Sequence, residues 1–369
     1  MENTDLLVTT DELRTMLENK EPVVVLDVRP QEQREEWQIP SSIYLDAHKR
    51  LNASDFTVLD EIEIPDNTKV ITVCAAGRTS QVAANELRKK GIEAYSLKDG
   101  MKGWSLAWNK AHHSYDDFEL WQIRRTGKGC LSYIIASDKE AIIIDASLPV
   151  EVYAQLVIEH KLSIKYIIET HIHADHLSRS KELAEYFNAP LYLPVPNKVQ
   201  FDYHPIKSDT VFTVGSVILR SIPAPGHTLE SFSFYIDNKI LITGDTLFTN
   251  GVGRPDLKST EEESREKAKL LYQSLQNLLS LPDDVIILPA HTSKPVEFDN
   301  KLVQTTIGEA KKNIAMLKNN EEDFINSLLQ KIPATPPNFL SIVEKNIIGN
   351  YEGVNPVDLE AGANRCAVS

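Results

Sequence analysis

Over roughly the first 110 residues, short apolar runs alternate with amphipathic stretches. Pro22-Val23-Val24-Val25-Leu26 and Lys69-Val70-Ile71-Thr72-Val73 have the length and continuity of fully buried strands. A helix pattern over Thr10–Asn19, with Thr10 or Asp11 able to cap it, precedes the first, and another over Gln81–Arg88 follows the second. Strands alternating with helices predict a parallel, doubly wound α/β sheet, whose chemistry collects at the carboxyl ends of the strands. Asp27-Val28-Arg29 and Cys74 lie at two such ends.

The pattern changes after Trp108. Residues 111–118 are polar and read as a linker, with the adjacent His112 and His113 as surface histidines. Residues 119–369 then read as a second, β-rich domain, with Cys130 expected in the core of the run Cys130–Ala136. Four apolar runs in it end in metal-binding residue types. Tyr166-Ile167-Ile168 leads into Thr170-His171-Ile172-His173-Ala174-Asp175-His176, Val217-Ile218-Leu219 towards His227, Ile240-Leu241-Ile242 into Asp245, and Val285–Leu288 into His291. A helix start at Ser259–Glu263 is followed by Leu270, Leu271, Leu275, Leu278 and Leu279 at helical spacing. A second amphipathic helix is expected over Gly308–Lys331, ended by Pro333, Pro336 and Pro337.

These residue types narrow the chemistry. His171 and His173 are two apart and share one side of an extended chain, while Asp175 and His176 approach from beyond a turn. Imidazole with carboxylate suits zinc or iron, whereas magnesium and calcium prefer all-oxygen shells. In the first domain, Cys74-Ala75-Ala76-Gly77-Arg78-Thr79-Ser80 leads directly into a helix pattern. Aligned N–H groups there favour a thiolate able to carry sulfur. On the residues alone, a buried structural cysteine is an equal reading.

A net charge of −14 argues against a nucleic-acid surface. No basic-then-apolar leader and no run long enough to span a bilayer is present, so the expectation is a cytoplasmic protein without a membrane partner. Three widely spaced cysteines suit a reducing compartment. The oligomeric state stays open, a homo-oligomer included.

The Asp27-Val28-Arg29 strand end, the Ile39-Pro40-Ser41-Ser42-Ile43 stretch, the Cys74 loop and Asp99-Gly100-Met101-Lys102-Gly103-Trp104 together resemble a rhodanese domain over residues 1–110. The resemblance implies a sulfurtransferase in which Cys74 is catalytic and alternates between thiol and persulfide. The HxHxDH string, the His of Pro225-Gly226-His227-Thr228, the Asp of Gly244-Asp245-Thr246 and the late His291 resemble, in order, the metallo-β-lactamase superfamily. That implies an αββα sandwich. Gly251-Val252-Gly253-Arg254-Pro255-Asp256 looks like a segment of persulfide dioxygenases that also carry rhodanese domains.

The implied reaction is oxidation of glutathione persulfide, or a similar small persulfide, by O₂ to sulfite. One Fe(II) per chain would be held by His171, His227 and Asp245, with His173, Asp175, His176 and His291 as outer partners or ligands of a second metal. Arg254 and Arg78 are the substrate-binding candidates, an Arg254–Asp256 ion pair being the equal alternative. The alternatives are a glyoxalase II-like hydrolase of glutathione thioesters with two Zn(II), and a non-catalytic protein that binds or senses persulfides.

Overall fold

The computed structural model describes residues 6–194, 198–362 and 364–369. The first five strands, β1 (Leu7–Val8), β2 (Val23–Asp27), β3 (Ile43–Tyr44), β4 (Lys69–Val73) and β5 (Ala94–Leu97), form one sheet in the order β1-β5-β4-β2-β3. Every pairing in it is parallel. Alternate residues of the central strands feed opposite faces. Leu26 and Val70 pack with Ala83 and Leu87, while Val25 and Ile71 pack with Leu13 and Trp104. Helices α1 (Thr10–Glu18), α2 (Gln31–Glu36), α3 (His48–Asn52), α4 (Arg78–Lys89) and α5 (Gly100–Trp104) complete the doubly wound arrangement. The cap of α1 is Thr9, one residue earlier than expected, because Glu12 stands three residues on and closes a reciprocal capping box with it.

The first half of the stretch taken for a linker is a strand. β6 (Asn109–Ser114) pairs antiparallel with β7 (Glu119–Arg125) along its whole length. It is the edge of a sheet that continues through β8 (Cys130–Ser137), β9 (Glu140–Ile144), β10 (Ser163–Ile168), β11 (Leu191–Leu193) and β12 (His204–Pro205). An edge strand tolerates polar, charged residues, so its composition imitates a linker. His112 is not a free surface group, since its ring stacks on Trp121 at 4.7 Å and its Nε2 meets Glu119 at 2.5 Å.

A second sheet comprises β13 (Val211–Val214), β14 (Val217–Pro223), β15 (Phe232–Ile236) and β16 (Ile240–Gly244). After the short β17 (Val252–Gly253), which lies outside it, β18 (Ile286–Pro289) and β19 (Thr305–Thr306) extend that sheet beyond β16. Tyr133, Ile135, Ile142 and Ile144 of the first sheet meet Phe212, Leu219, Phe234 and Ile242 of the second in one core. Their other faces are covered by helices, with Tyr153, Leu156 and Leu183 from α6 (Val150–His160) and α7 (Ser180–Phe187) on one side. Leu271, Leu275 and Leu278 of α8 (Glu261–Leu279) cover the other. The layers are therefore αββα, as expected. The Gly308–Lys331 run is two helices, α9 (Ile307–Asn313) and α10 (Glu321–Gln330), because Ile314 turns extended and Asn320 caps a new start.

The chain closes with α11 (Phe339–Ile348), α12 (Pro356–Glu360) and β20 (Ala367–Val368), which pairs antiparallel with β17. The two domains share buried polar contacts. Trp37 Nε1 donates to the Thr126 carbonyl at 3.0 Å, and Arg125 Nε to the Ser105 carbonyl at 2.8 Å. Among the described residues, no helix is long and apolar enough to cross a membrane.

Candidate metal centre

The carboxyl ends of β9, β10, β16 and β18, with the β14–β15 connection, converge at one edge of the sandwich. They bring His171, His173, Asp175, His176, His227, Asp245 and His291 together, all buried. Their hydrogen bonds divide the seven into distinct groups.

His171, His227 and Asp245 face one another. Thr170 Oγ1 donates to Asp145 Oδ2 at 2.8 Å, so its oxygen accepts the Nδ1 proton of His171 at 2.9 Å. The His171 Nε2 lone pair is thereby left bare. His227 Nδ1 donates to the Arg254 carbonyl at 2.7 Å, with the same result. Both Nε2 atoms look at Asp245 Oδ2, from 3.7 Å for His171 and 3.5 Å for His227. That oxygen is buried and has no hydrogen-bond partner among the described residues. A carboxylate oxygen stranded in this way is costly unless a cation meets it. Two bare imidazole nitrogens and one bare carboxylate oxygen are what a divalent ion such as iron or zinc requires, so the residues fit a metal.

Electrostatics agree with that assignment. Burial holds His171 and His227 below the usual imidazole range, keeping both neutral, as ligands must be. Burial pushes Asp245 up, but His291 outweighs it and the carboxyl stays well below the usual range.

The remaining four are tied elsewhere. His291 Nδ1 donates to Asp245 Oδ1 at 2.6 Å, and its Nε2 lies 3.0 Å from Asp175 Oδ2. His176 Nδ1 lies 3.1 Å from Asp175 Oδ1. His173 turns away from the trio, its Nε2 2.8 Å from Glu169 and 3.4 Å from Asp145. With Oδ1 of Asp245 taken by His291, that carboxylate has one oxygen left to offer a metal.

Several participants were not anticipated. Asp145 ends an apolar run as the other ligands do and could have been found by the same rule; it fixes Thr170 through both oxygens. Cys130, expected in the core, is buried but directs Sγ at Asp175 Oδ2 from 3.3 Å, because β8 begins at the site rather than crossing beneath it. Burial and Asp175 push its thiol up, yet His176 and His291 bring it to about 7. The tail supplies Asn364, whose amide donates to Asp175 at 3.0 Å, and Cys366, grouped with Asp245 and His291. Glu360 accepts from the Leu177 amide at 2.8 Å and from Arg125 at 2.5 Å.

Arg254 takes the ion-pair alternative. Its guanidinium is fully buried, forked onto Asp256 with both contacts at 2.7 Å, and bonded to the Ala334 and Arg365 carbonyls. It shapes the loop that presents its carbonyl to His227 and is not placed to touch substrate. Gly253 beside it has no room for a side chain, since a Cβ would stand 2.0 Å from the Asp245 carbonyl and 3.0 Å from His227 Cβ. A Gly253→Ala protein should therefore bind metal about 10–100-fold more weakly in a chelator competition. Thr170→Val should do the same by releasing the His171 tautomer, and an unchanged affinity there would remove Thr170 from the orienting role.

Beside His227 opens a cleft of about 700 Å³ lined by Thr228, Lys258, Lys267 and Phe339 among others. In the first domain, Cys74 is buried and accepts a hydrogen bond from Ser80 Oγ at 3.3 Å. Its loop is strapped by the start of α5, where the Met101 amide donates to the Cys74 carbonyl at 2.8 Å and the Lys102 amide to the Ala75 carbonyl at 3.0 Å. Gly77 takes a left-handed φ of 85° to turn the loop into α4, and Arg78 stands exposed at the first position of that helix.

Residues 125–291 match the model of the metallo-beta-lactamase superfamily, and residues 9–107 that of the rhodanese-like domain. The chain joins a rhodanese-like domain to a metallo-β-lactamase domain. Among solved structures, it resembles a metallo-beta-lactamase from Staphylococcus aureus at 29% identity and a TM-score of 0.58, covering 64% of this chain and 74% of that one. It also resembles ETHE1 from Myxococcus xanthus at 26% identity and a TM-score of 0.54, covering 61% and 96%. A curated relative, the hydroxyacylglutathione hydrolase of Idiomarina loihiensis, is 28% identical over 242 residues, 64% of this chain and 87% of its own length.

Proposed function

We propose that the chain oxidises a small persulfide, glutathione persulfide foremost, to sulfite with O₂ at one Fe(II) held by His171, His227 and Asp245. The observation that carries this reading is the division of the Asp245 carboxylate. One oxygen faces the two bare imidazoles and the other is bonded to His291, which favours a single ion over a carboxylate-bridged pair. The likeness to ETHE1 of Myxococcus xanthus is consistent with it. Iron(II) on a two-histidine, one-carboxylate face supplies open positions and the redox capacity to bring O₂ and a sulfur together. In balance, a persulfide, O₂ and water give the thiol and sulfurous acid; the sulfane sulfur loses four electrons and O₂ gains them.

The chain's own residues prepare that step. Asp145, through Thr170, and the Arg254 carbonyl hold the two histidines with Nε2 forward. Lys258 and Lys267 line the cleft among Glu230, Glu262, Glu263 and Glu266, offering both the cations and the anions that the carboxylates and the ammonium group of a glutathione moiety would meet. In the rhodanese-like domain, the Cys74 thiolate would attack a donor's sulfane sulfur, forming the Cys74 persulfide and releasing the donor's remaining group.

A zinc hydrolase of glutathione thioesters is the second reading, supported by the named activity of the Idiomarina relative. Oxygen uptake separates the two. The iron-loaded protein given glutathione persulfide should consume O₂ and form sulfite in equal amounts. No uptake, with iron bound and persulfide intact, together with cleavage of S-lactoylglutathione, would replace the dioxygenase by the hydrolase.

A further inference from the structure

The cleft beside His227 has an apolar wall that a glutathione carrier leaves unused. That wall is built on α11. Phe339, Val343 and Ile347 stand four residues apart on the helix, so they form one stripe, and all three line the cleft. Leu229, Leu257 and Leu270 line it from the β14–β15 connection, the loop after β17 and α8. Leu229 is 61% exposed and the other five are half-buried. Among the described residues, none of the six joins a hydrophobic core of either domain.

Packing of α11 does not account for the stripe. The inward face of the helix is a different one, carried by the buried Ile342 and Asn346. The Asn346 amide donates to the His173 and His176 carbonyls, both at 2.9 Å, and its oxygen accepts from the Ser178 amide at 2.9 Å. The helix is thereby fixed to the loop that carries the metal ligands, and its stripe is a preformed wall. Ile172 and Ala174, which alternate with His171, His173 and Asp175 along that loop, reach the same cleft. One continuous space thus joins the metal face to an apolar surface.

Size and composition select the occupant. About 700 Å³ suits a small molecule rather than a folded partner. Glutathione is polar along its length, so its charges are met by Lys258, Lys267 and the neighbouring glutamates while the stripe stays uncovered. An apolar carrier would cover it.

We propose that the cleft takes, besides glutathione persulfide, persulfides whose thiol carrier has an unbranched apolar body, and that it binds these more tightly, with Val343 central to the selecting wall. The inference rests on the reading of this cleft as a persulfide's approach to the metal face, and widens its substrate class.

Straight-chain thiols from butanethiol to octanethiol, added without oxygen to the iron-loaded, full-length protein, test this by calorimetry. The sulfur end stays constant and only the body grows. Affinity should rise about fourfold per methylene, as for removal of one CH₂ from water, with a heat-capacity change that grows more negative along the series. Val343→Asp should flatten the series and Val343→Ile should keep it. Where circular dichroism shows that Val343→Asp does not fold, Leu229→Asp, at an exposed side chain of the same cleft, takes its place. A flat series in the unmodified protein, or a slope that survives the folded aspartate variant, overturns the proposal. So does a dimer in sedimentation that the aspartate variant dissolves, because the wall would then belong to a second copy of the chain. Oxygen uptake with glutathione persulfide is read on the same sample. A flat series with normal uptake removes the apolar wall alone, whereas a rising series without uptake removes the dioxygenase and leaves the wall.

Discussion

On the proposed iron reading, an Asp245→Asn protein should lose its metal to background by elemental analysis, and the proposed persulfide-dependent O₂ uptake with it, while its far-ultraviolet circular dichroism stays unchanged. The amide keeps the shape of the side chain and can still accept from His291 Nδ1, a bond of 2.6 Å in the parent. What it removes is the anionic oxygen that both bare Nε2 atoms face. Neutral amide oxygens are poor replacements for a carboxylate in a site with only two other donors. Outer-shell changes such as Thr170→Val cost roughly 10–100-fold in affinity, and deletion of a charge that meets the ion directly should exceed that range. Iron bound at parental stoichiometry by Asp245→Asn would sink the trio and move attention to the donors around Asp175.

Cys74→Ser should separate the two activities. Transfer of sulfane sulfur from thiosulfate to an acceptor should fall to background, since a hydroxyl cannot form the persulfide and the described loop holds no second thiol. Oxygen uptake with glutathione persulfide should be unaffected, because Cys74 lies in the other domain and shares no partner with the metal ligands. Serine fits the loop, where the parental partner is the Ser80 hydroxyl at 3.3 Å, so the variant should fold. Full sulfurtransfer by Cys74→Ser would eliminate the carrier role.

The strand-end rule, apolar run followed by histidine or carboxylate, carried a long way in this chain. It located the seven residues as a set because a buried strand must surface somewhere, and the residues at that point face the edge of the sheet; the choice of three among them came from the resemblance. The αββα layering came from the resemblance those strand ends carry to the metallo-β-lactamase superfamily. Residues whose place is decided at a distance were illegible. Asn364 and Cys366 belong to a polar tail without periodicity, and its pairing with β17 together with bonds to Lys128 brings them to Asp175 and Asp245. Cys130 looked like any apolar strand residue, since burial beside a metal site and burial in a core leave the same local pattern. Arg254 shows the converse limit: the motif was visible, but whether a guanidinium points at Asp256 or at a ligand depends on the loop's packing.

The tail that crosses the centre bears on how the protein acquires its metal. Asp145, His171, His227, Asp245, His291 and Asn364 come from segments separated by long stretches of chain, and their contacts form only after those loops have closed. The trio itself is incomplete until His227 and Asp245 close on His171, so the compact His171–His176 string alone does not supply it. Filling of the trio should thus be a late event governed by an already folded apoprotein, and scarcity of metal should yield folded, empty molecules that can be charged afterwards rather than misfolded ones.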